Sequence, residues 1–150
     1  MRRFRGDGAR VERLGHVFSE RKERVSEKEV TPLSVTKSGI IPQMEHVAKT
    51  EDVDNRKGVR KGDFVINGRS DRRGSSGIAD RDGCVSLINI VLEPREGEPR
   101  FYHHLLRSHG FQEEFYRFGH GIVADLWTTH YSEMKDIEII LPPTVTQTAI

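Results

Sequence analysis

Three arginines fall in a run that also holds three serines and two glycines: Arg69-Ser70-Asp71-Arg72-Arg73-Gly74-Ser75-Ser76-Gly77. It follows a basic turn and a short apolar stretch, Val59-Arg60-Lys61-Gly62-Asp63-Phe64-Val65-Ile66-Asn67-Gly68. A guanidinium presents a planar fork of donors that fits a phosphate or the acceptor edge of a base, and glycine lets backbone come close to either. Asn67, Arg69, Arg72, Arg73, Ser75 and Ser76 are therefore candidate contacts to base edges or phosphates, with Lys61 in the preceding turn. A solvated hairpin tip has the same composition, so the run by itself leaves both readings open.

Two other polar segments carry similar groups. Thr36, Lys37 and Ser38 follow a short alternating stretch, and the segment from Gly121 to Tyr131 holds Trp127, Thr128, Thr129 and His130. Thr128 and Thr129 join the candidate contacts, whereas Trp127 also suits core packing.

Catalytic patterns fail one by one. Adjacent His103 and His104 would point about 100° apart on a helix, so the histidines lack metal-ligand spacing. Asp80-Arg81-Asp82-Gly83 opens like a calcium loop without the remaining ligands, and a tight turn explains it better. Gly68 to Gly77 has no Gly-Lys-Ser/Thr ending, and no Gly-x-Ser-x-Gly elbow occurs. Leu141-Pro142-Pro143-Thr144 resembles the base-holding motif of amino-methyltransferases, but Leu141 cannot bind an amino group and Thr144 cannot stack. Glu20-Arg21-Lys22 and Glu133-Met134-Lys135 match half of a nuclease metal site, and neither has an obvious second carboxylate. The sequence implies no metal and no cofactor.

The elements that must position these groups follow from periodicity. Val11, Leu14, Phe18 and Val25 predict a helix over roughly Ala9 to Arg24, after a frayed Arg-rich end. Pro32 ends it, and Leu33-Ser34-Val35-Thr36 predicts a strand that turns at Lys37-Ser38-Gly39 into Ile40-Ile41-Pro42-Gln43. Thr50 to Lys57 is expected as a surface loop, Phe64 to Asn67 as a strand, and Cys84 to Leu92 as a central strand covered on both faces. Glu93 to Pro99 is a turn-rich connection. Phe101 to Phe118 predicts a helix with Tyr102, Leu105, Leu106, Phe111, Phe115 and Phe118 on its apolar side and a weak point at Gly110. Ile137 to Leu141 is a last strand, stopped by Pro142-Pro143. The fold class is mixed α/β: one mixed, twisted sheet packed with helices, with long polar recognition loops.

A length of 150 residues suits one domain. Charged residues reach 31% against 35% hydrophobic, which implies a small core under an ionic surface. The net charge of +1 is unevenly spread: basic residues exceed acidic ones in Met1 to Lys28 and Arg60 to Arg73, while Glu51 to Asp54 and Glu93 to Glu98 are acidic. Local positive fields can bind polyanions at near-zero overall charge. Cys84 is the only cysteine, which fits a reducing compartment, and neither a signal peptide nor a membrane span is legible. The expected location is the cytoplasm.

Several short runs then fall into a known order. Leu14-Gly15-x-Val17-Phe18-x-Glu20-Arg21-Lys22-Glu23-Arg24 is followed by Leu33-Ser34-Val35-Thr36 and Gly39-Ile40-Ile41-Pro42-Gln43. Val59-x-Lys61-Gly62-Asp63, Asp82-Gly83-x-Val85-Ser86 and Ile137-x-Ile139-x-Leu141-Pro142-Pro143 come next. Together they resemble a target recognition domain of type I restriction-modification specificity subunits, over nearly the whole chain. The resemblance implies a non-catalytic reader of double-stranded DNA in the major groove, which directs separate methyltransferase and restriction subunits. It also implies a second recognition half and a spacer helix after the proline pair. Residues 1–143 would be the recognition domain, and residues 144–150, with Thr146-Gln147, the start of a truncated spacer. The alternatives are a small metal-dependent endonuclease and a truncated protein-interaction remnant.

Overall fold

The computed structural model describes residues 3–4, 10–43, 54–95, 99–123 and 126–141. At its centre the strand Phe64–Asn67 pairs antiparallel with Ser76–Ile78 on one side and Asn89–Pro94 on the other, and the latter pairs with Phe18–Glu20. Asn89 lies opposite Asn67 and Leu92 opposite Phe64, while Ser76 faces Ile66 and Ile78 faces Phe64. This register brings Asn67, Ser75 and Asn89 out at one end of the sheet and leaves Lys61 and Ala79 at the other.

Alternate side chains of a strand point to opposite faces, and both faces here are covered. Phe64, Ile66, Ile90 and Leu92 enter the larger core, and Val65 and Val91 enter the smaller one. The larger core is closed by helices Pro99–Arg107 and His109–Arg117 through Tyr102, Leu106, Phe111, Phe115 and Tyr116. Phe18 meets Tyr102 edge-on at 4.8 Å between ring centroids, and Phe115 meets Tyr116 at 4.7 Å. Burial of each such side chain stabilises by about 1.5–3 kcal/mol. On the opposite face Leu33, Val59, Ala79 and Val85 complete the smaller core.

The mixed α/β class stands, but the single expected sheet is divided. Among the described residues there are five small antiparallel sheets, including the hairpins Leu33–Thr36/Gly39–Pro42 and His120–Val123/Leu126–Thr128. The predicted strands Leu33 to Thr36 and Phe64 to Asn67 are present, as are the hairpin turn at Gly39 and the turn at Asp80 to Gly83.

The expected helix over Ala9 to Arg24 is overturned. Arg10–Arg13 is a strand paired with Glu138–Leu141, Leu14–Val17 makes one helical turn, and Phe18–Glu20 joins the central sheet. Leu14 and Gly15 donate to the carbonyls of Ile137 and Lys135, both at 2.9 Å, so partners far along the chain override the local helical spacing. The single strand from Cys84 to Leu92 is in fact two, Gly83–Val85 and Asn89–Pro94, in different sheets. Asn89 closes the turn between them, its side-chain amide donating to Ser86 Oγ at 3.0 Å, and Leu87 is exposed.

Other boundaries move for equally local reasons. The helix from Phe101 to Phe118 breaks at Ser108, not Gly110, because Ser108 Oγ accepts from the Phe111 N–H at 3.3 Å and caps a new helix. Phe118 is exposed rather than part of the apolar side. Arg56 and Lys57, expected in a loop, belong to strand Arg56–Val59, and Glu93 and Pro94 still belong to strand Asn89–Pro94. The Arg69 to Gly77 run contains a 3-10 turn at Ser70–Arg72 and the start of strand Ser76–Ile78, so it is a short bow rather than a long loop. Gly121 to Tyr131 is mostly hairpin, with helix Tyr131–Met134 following. Within the Arg-rich start, expected to be frayed, Arg3–Phe4 is a short strand paired antiparallel with Arg10–Arg13; the Trp127 ring, Pro142-Pro143 and the expected spacer lie outside the described residues.

Candidate nucleic-acid interface

Asn67 ends the central strand and is held three ways. Its N–H donates to Ser75 O at 3.0 Å, its Oδ1 accepts from the Arg69 N–H at 3.0 Å, and its carbonyl accepts from the buried Tyr116 hydroxyl at 2.9 Å. The side-chain bond is an Asx turn, which bends the chain as a backbone turn would. Arg72 N–H then donates to Arg69 O at 3.0 Å and Ser75 N–H to Arg72 O at 3.1 Å. Gly74 supplies the positive φ of 86° that lets the bow return to the sheet. Arg72 is exposed at its crest, and among the described residues its guanidinium has no side-chain partner.

The hairpin turn at Lys37-Ser38 packs beside this bow. Thr36 Oγ1 donates to Gly39 O at 2.8 Å and accepts from the Ser38 N–H at 3.1 Å, and Gly39 adopts a φ of 120°. The Lys37 carbonyl accepts from the Arg107 guanidinium, and the Lys37 Cγ lies 3.7 Å from where a Cβ on Gly74 would stand. Between bow and hairpin opens a pocket of about 350 Å³ lined by Val35, Thr36, Lys37, Asn67, Arg72 and Ser75. A second pocket of about 200 Å³ shares Val35 and Asn67 with it and extends toward Asn89 and Arg56.

The strand Leu126–Thr128 and the residue after it close the third side by backbone bonding. Thr129 N–H donates to Gly68 O at 2.8 Å, Gly68 N–H to Ile88 O at 3.2 Å, and Arg69 bridges to Thr128. Only glycine fits at position 68, because a Cβ there would stand 2.5 Å from Thr129 O and 3.1 Å from Ile88 O.

The three polar segments thus converge at one end of the central sheet, though not every candidate side chain faces outward. Thr36, Lys37, Asn67, Arg72 and Ser75 meet in the larger pocket, and Ser38 is exposed on its turn. Ser76 and Thr129 are corrections. Ser76 is 1% exposed, and Thr129 is fully buried with its hydroxyl donating to Phe115 O at 2.8 Å, so neither hydroxyl reaches a ligand. Arg73 is engaged, ion-paired to Glu113 at 2.9 Å and lying 5.0 Å from the centroid of the Tyr116 ring. Thr36 spends its hydroxyl proton on the turn. Lys61 sits at the opposite end of Phe64–Asn67, its N–H donating to Asp82 Oδ1 at 2.8 Å, away from the other candidates. Arg69 stands at the start of the 3-10 turn, and Thr128 lies beside it.

Sequence reasoning missed Tyr116, Gly68 and Arg107. Tyr116 fell between the recognised positions of a helical stripe, and its hydroxyl partner lies 49 residues away in sequence. Beneath the pocket end Lys57 Nζ donates to Asn89 O at 2.6 Å, and burial, the foremost influence, lowers its pKa despite Glu20. The two half nuclease motifs are spent elsewhere: Glu133 Oε1 accepts from the His130 N–H at 3.0 Å in a capping box, and Arg21 pairs with Asp63 at 2.6 Å. Among the described residues no group of three His, Cys, Asp or Glu side chains could hold a metal ion, and no helix is long and apolar enough to cross a membrane.

Comparison with solved structures places this arrangement. A chain from a structure of type I R-M complex assembly and conformational transition superposes with a TM-score of 0.67 at 19% identity. The type I restriction-modification S subunit from M. genitalium gives 0.61 at 18%, and the HsdS subunit from Thermoanaerobacter tengcongensis gives 0.60 at 18%. The fold is that of type I specificity subunits. These matches cover 98%, 96% and 98% of the present chain but only 37%, 37% and 36% of the respective neighbours. The chain therefore spans about 37% of the length of the chain from the type I R-M system structure. No protein-family model matches the chain, and no curated protein matches it in sequence. At under a fifth sequence identity, the specificity-subunit likeness is one of backbone architecture.

Proposed function

We propose that this chain is a DNA target recognition domain of a type I restriction-modification system, acting in the cytoplasm on double-stranded DNA. The observation that carries the reading is the meeting of Arg72 and Lys37, from segments remote in sequence, around the uncharged polar groups of Asn67 and Ser75 in one open pocket. Cations at a rim supply sequence-independent attraction to phosphates, and fixed polar groups between them supply base readout. The domain is non-catalytic in this reading and directs methyltransferase and restriction subunits, with a second recognition half reading the other part of a bipartite site. Residues 1–143 would form the recognition domain and residues 144–150 the beginning of the spacer.

Fluorescence anisotropy of the full chain with a labelled random-sequence duplex tests the DNA-binding part. Affinity should fall linearly on a log–log plot as salt rises, with a slope of roughly −0.9 for each phosphate neutralised. Absence of salt-dependent binding would overturn the proposal.

A further inference from the structure

The pocket formed by the bow and the hairpin is unbalanced in its hydrogen-bonding chemistry. Arg72 and Lys37 can only donate. Asn67 Oδ1 already accepts from the Arg69 N–H, whereas its NH2 has no partner among the described residues. Thr36 Oγ1 has given its proton to Gly39 O and accepts from the Ser38 N–H, so a single lone pair remains on it. Ser75 is the one hydroxyl left to act either way at the wall, and the Lys37 carbonyl and Asn67 Oδ1, each already accepting one bond, keep one lone pair apiece, so the donors outnumber the acceptors.

We infer that this pocket takes the O6/N7 edge of guanine, an inference that rests on the proposed DNA-binding role. In the major groove guanine offers two acceptors side by side, whereas adenine and cytosine each present an amino group that would meet the donors of Arg72, Lys37 or Asn67, and thymine offers one acceptor beside a methyl group. A phosphate is also acceptor-rich, but it needs only charge. Here the neutral Asn67 side-chain amide is oriented by the Arg69 N–H on its Oδ1, on a backbone held by Ser75 O and the Tyr116 hydroxyl, and it shares the pocket with the two cations, so that orientation discriminates among base edges while adding no net charge.

The test is selection of bound sites from a randomised duplex library with the full wild-type chain, Arg72→Ala and Asn67→Asp. Asn67→Asp keeps an oxygen for the Arg69 N–H but exchanges the amide donors for a carboxylate. Wild type should enrich guanine at one position, and both variants should lose that preference by about 5- to 150-fold, the range for a good base contact. Asn67→Asp should move the position toward cytosine, whose amino group a carboxylate accepts. Putting 7-deazaguanine at that position should weaken wild-type binding within the same range.

Adenine, cytosine or thymine at the Arg72-dependent position would overturn the inference, as would indifference to 7-deazaguanine. Equal weakening of every sequence by Arg72→Ala would make the partner a phosphate and overturn it too. Salt-dependent binding with no enrichment removes guanine reading and leaves the DNA-binding role standing, whereas no duplex affinity at all removes both.

Discussion

Gly68→Ala tests whether the three segments are joined as described. The new Cβ would stand 2.5 Å from Thr129 O and 3.1 Å from Ile88 O, and both neighbours are backbone atoms that cannot rotate away. Relief requires moving the strands apart, which strains the bonds from Thr129 N–H to Gly68 O at 2.8 Å and from Gly68 N–H to Ile88 O at 3.2 Å. Two weakened hydrogen bonds cost about 1 kcal/mol each, and overpacking adds about 1–3 kcal/mol. Stiffening of the unfolded chain returns about 0.4–1 kcal/mol. The net loss is about 2–5 kcal/mol, a fall in Tm on the order of 10 °C for a chain of this size. Urea and thermal unfolding followed by circular dichroism read it directly. Gly110→Ala is the control, since nothing lies within 4 Å of its added Cβ and the site is helical. That change should stabilise by roughly 0.5–1 kcal/mol. A Gly68→Ala protein as stable as the parent would refute the close approach, and with it the junction that holds the pocket.

Two further outcomes follow from buried charge. Arg56 pairs with Glu27 at 3.1 Å with both side chains 7% exposed, so Arg56→Met should cost about 3–5 kcal/mol in urea unfolding, and Arg56→Met with Glu27→Leu should recover most of it. Equal losses in the single and double variants would contradict the pairing. The His103 pKa is lowered, by burial first and then by Arg107 and His104, and its Nδ1 is buried without a partner. The unfolded chain therefore binds this proton more readily, so stability is lost as pH falls below about 6.5 toward the folded pKa, and His103→Phe should flatten that part of the curve. Parallel curves for both proteins across that range would remove His103 as the cause.

The sequence made the strand Phe64–Asn67 and its flanking polar runs legible because both are local: a short apolar, β-branched run marks the one, and arginine, glycine and serine mark the other. Their convergence was not legible, since it depends on pairing Asn67 with Asn89 and Gly68 with Thr129 across long separations. For the same reason Arg10–Arg13 looked helical until Glu138–Leu141, from the other end of the chain, claimed it as a strand. Exposure was not legible from residue type. Ser76 and Arg72 look alike in a polar run, yet Ser76 lies within a paired strand and Arg72 stands at the crest of a turn.

The most direct measurement compares duplex affinity across the two ends of the central strand. Lys37→Ala and Arg72→Ala remove cations from the pocket end, and Lys61→Ala removes one from the opposite end. Anisotropy titrations at one fixed salt concentration should show the first two variants weakened and Lys61→Ala binding like wild type. Weakening by Lys61→Ala with no effect from the pocket pair would place the interface on the wrong end of the molecule.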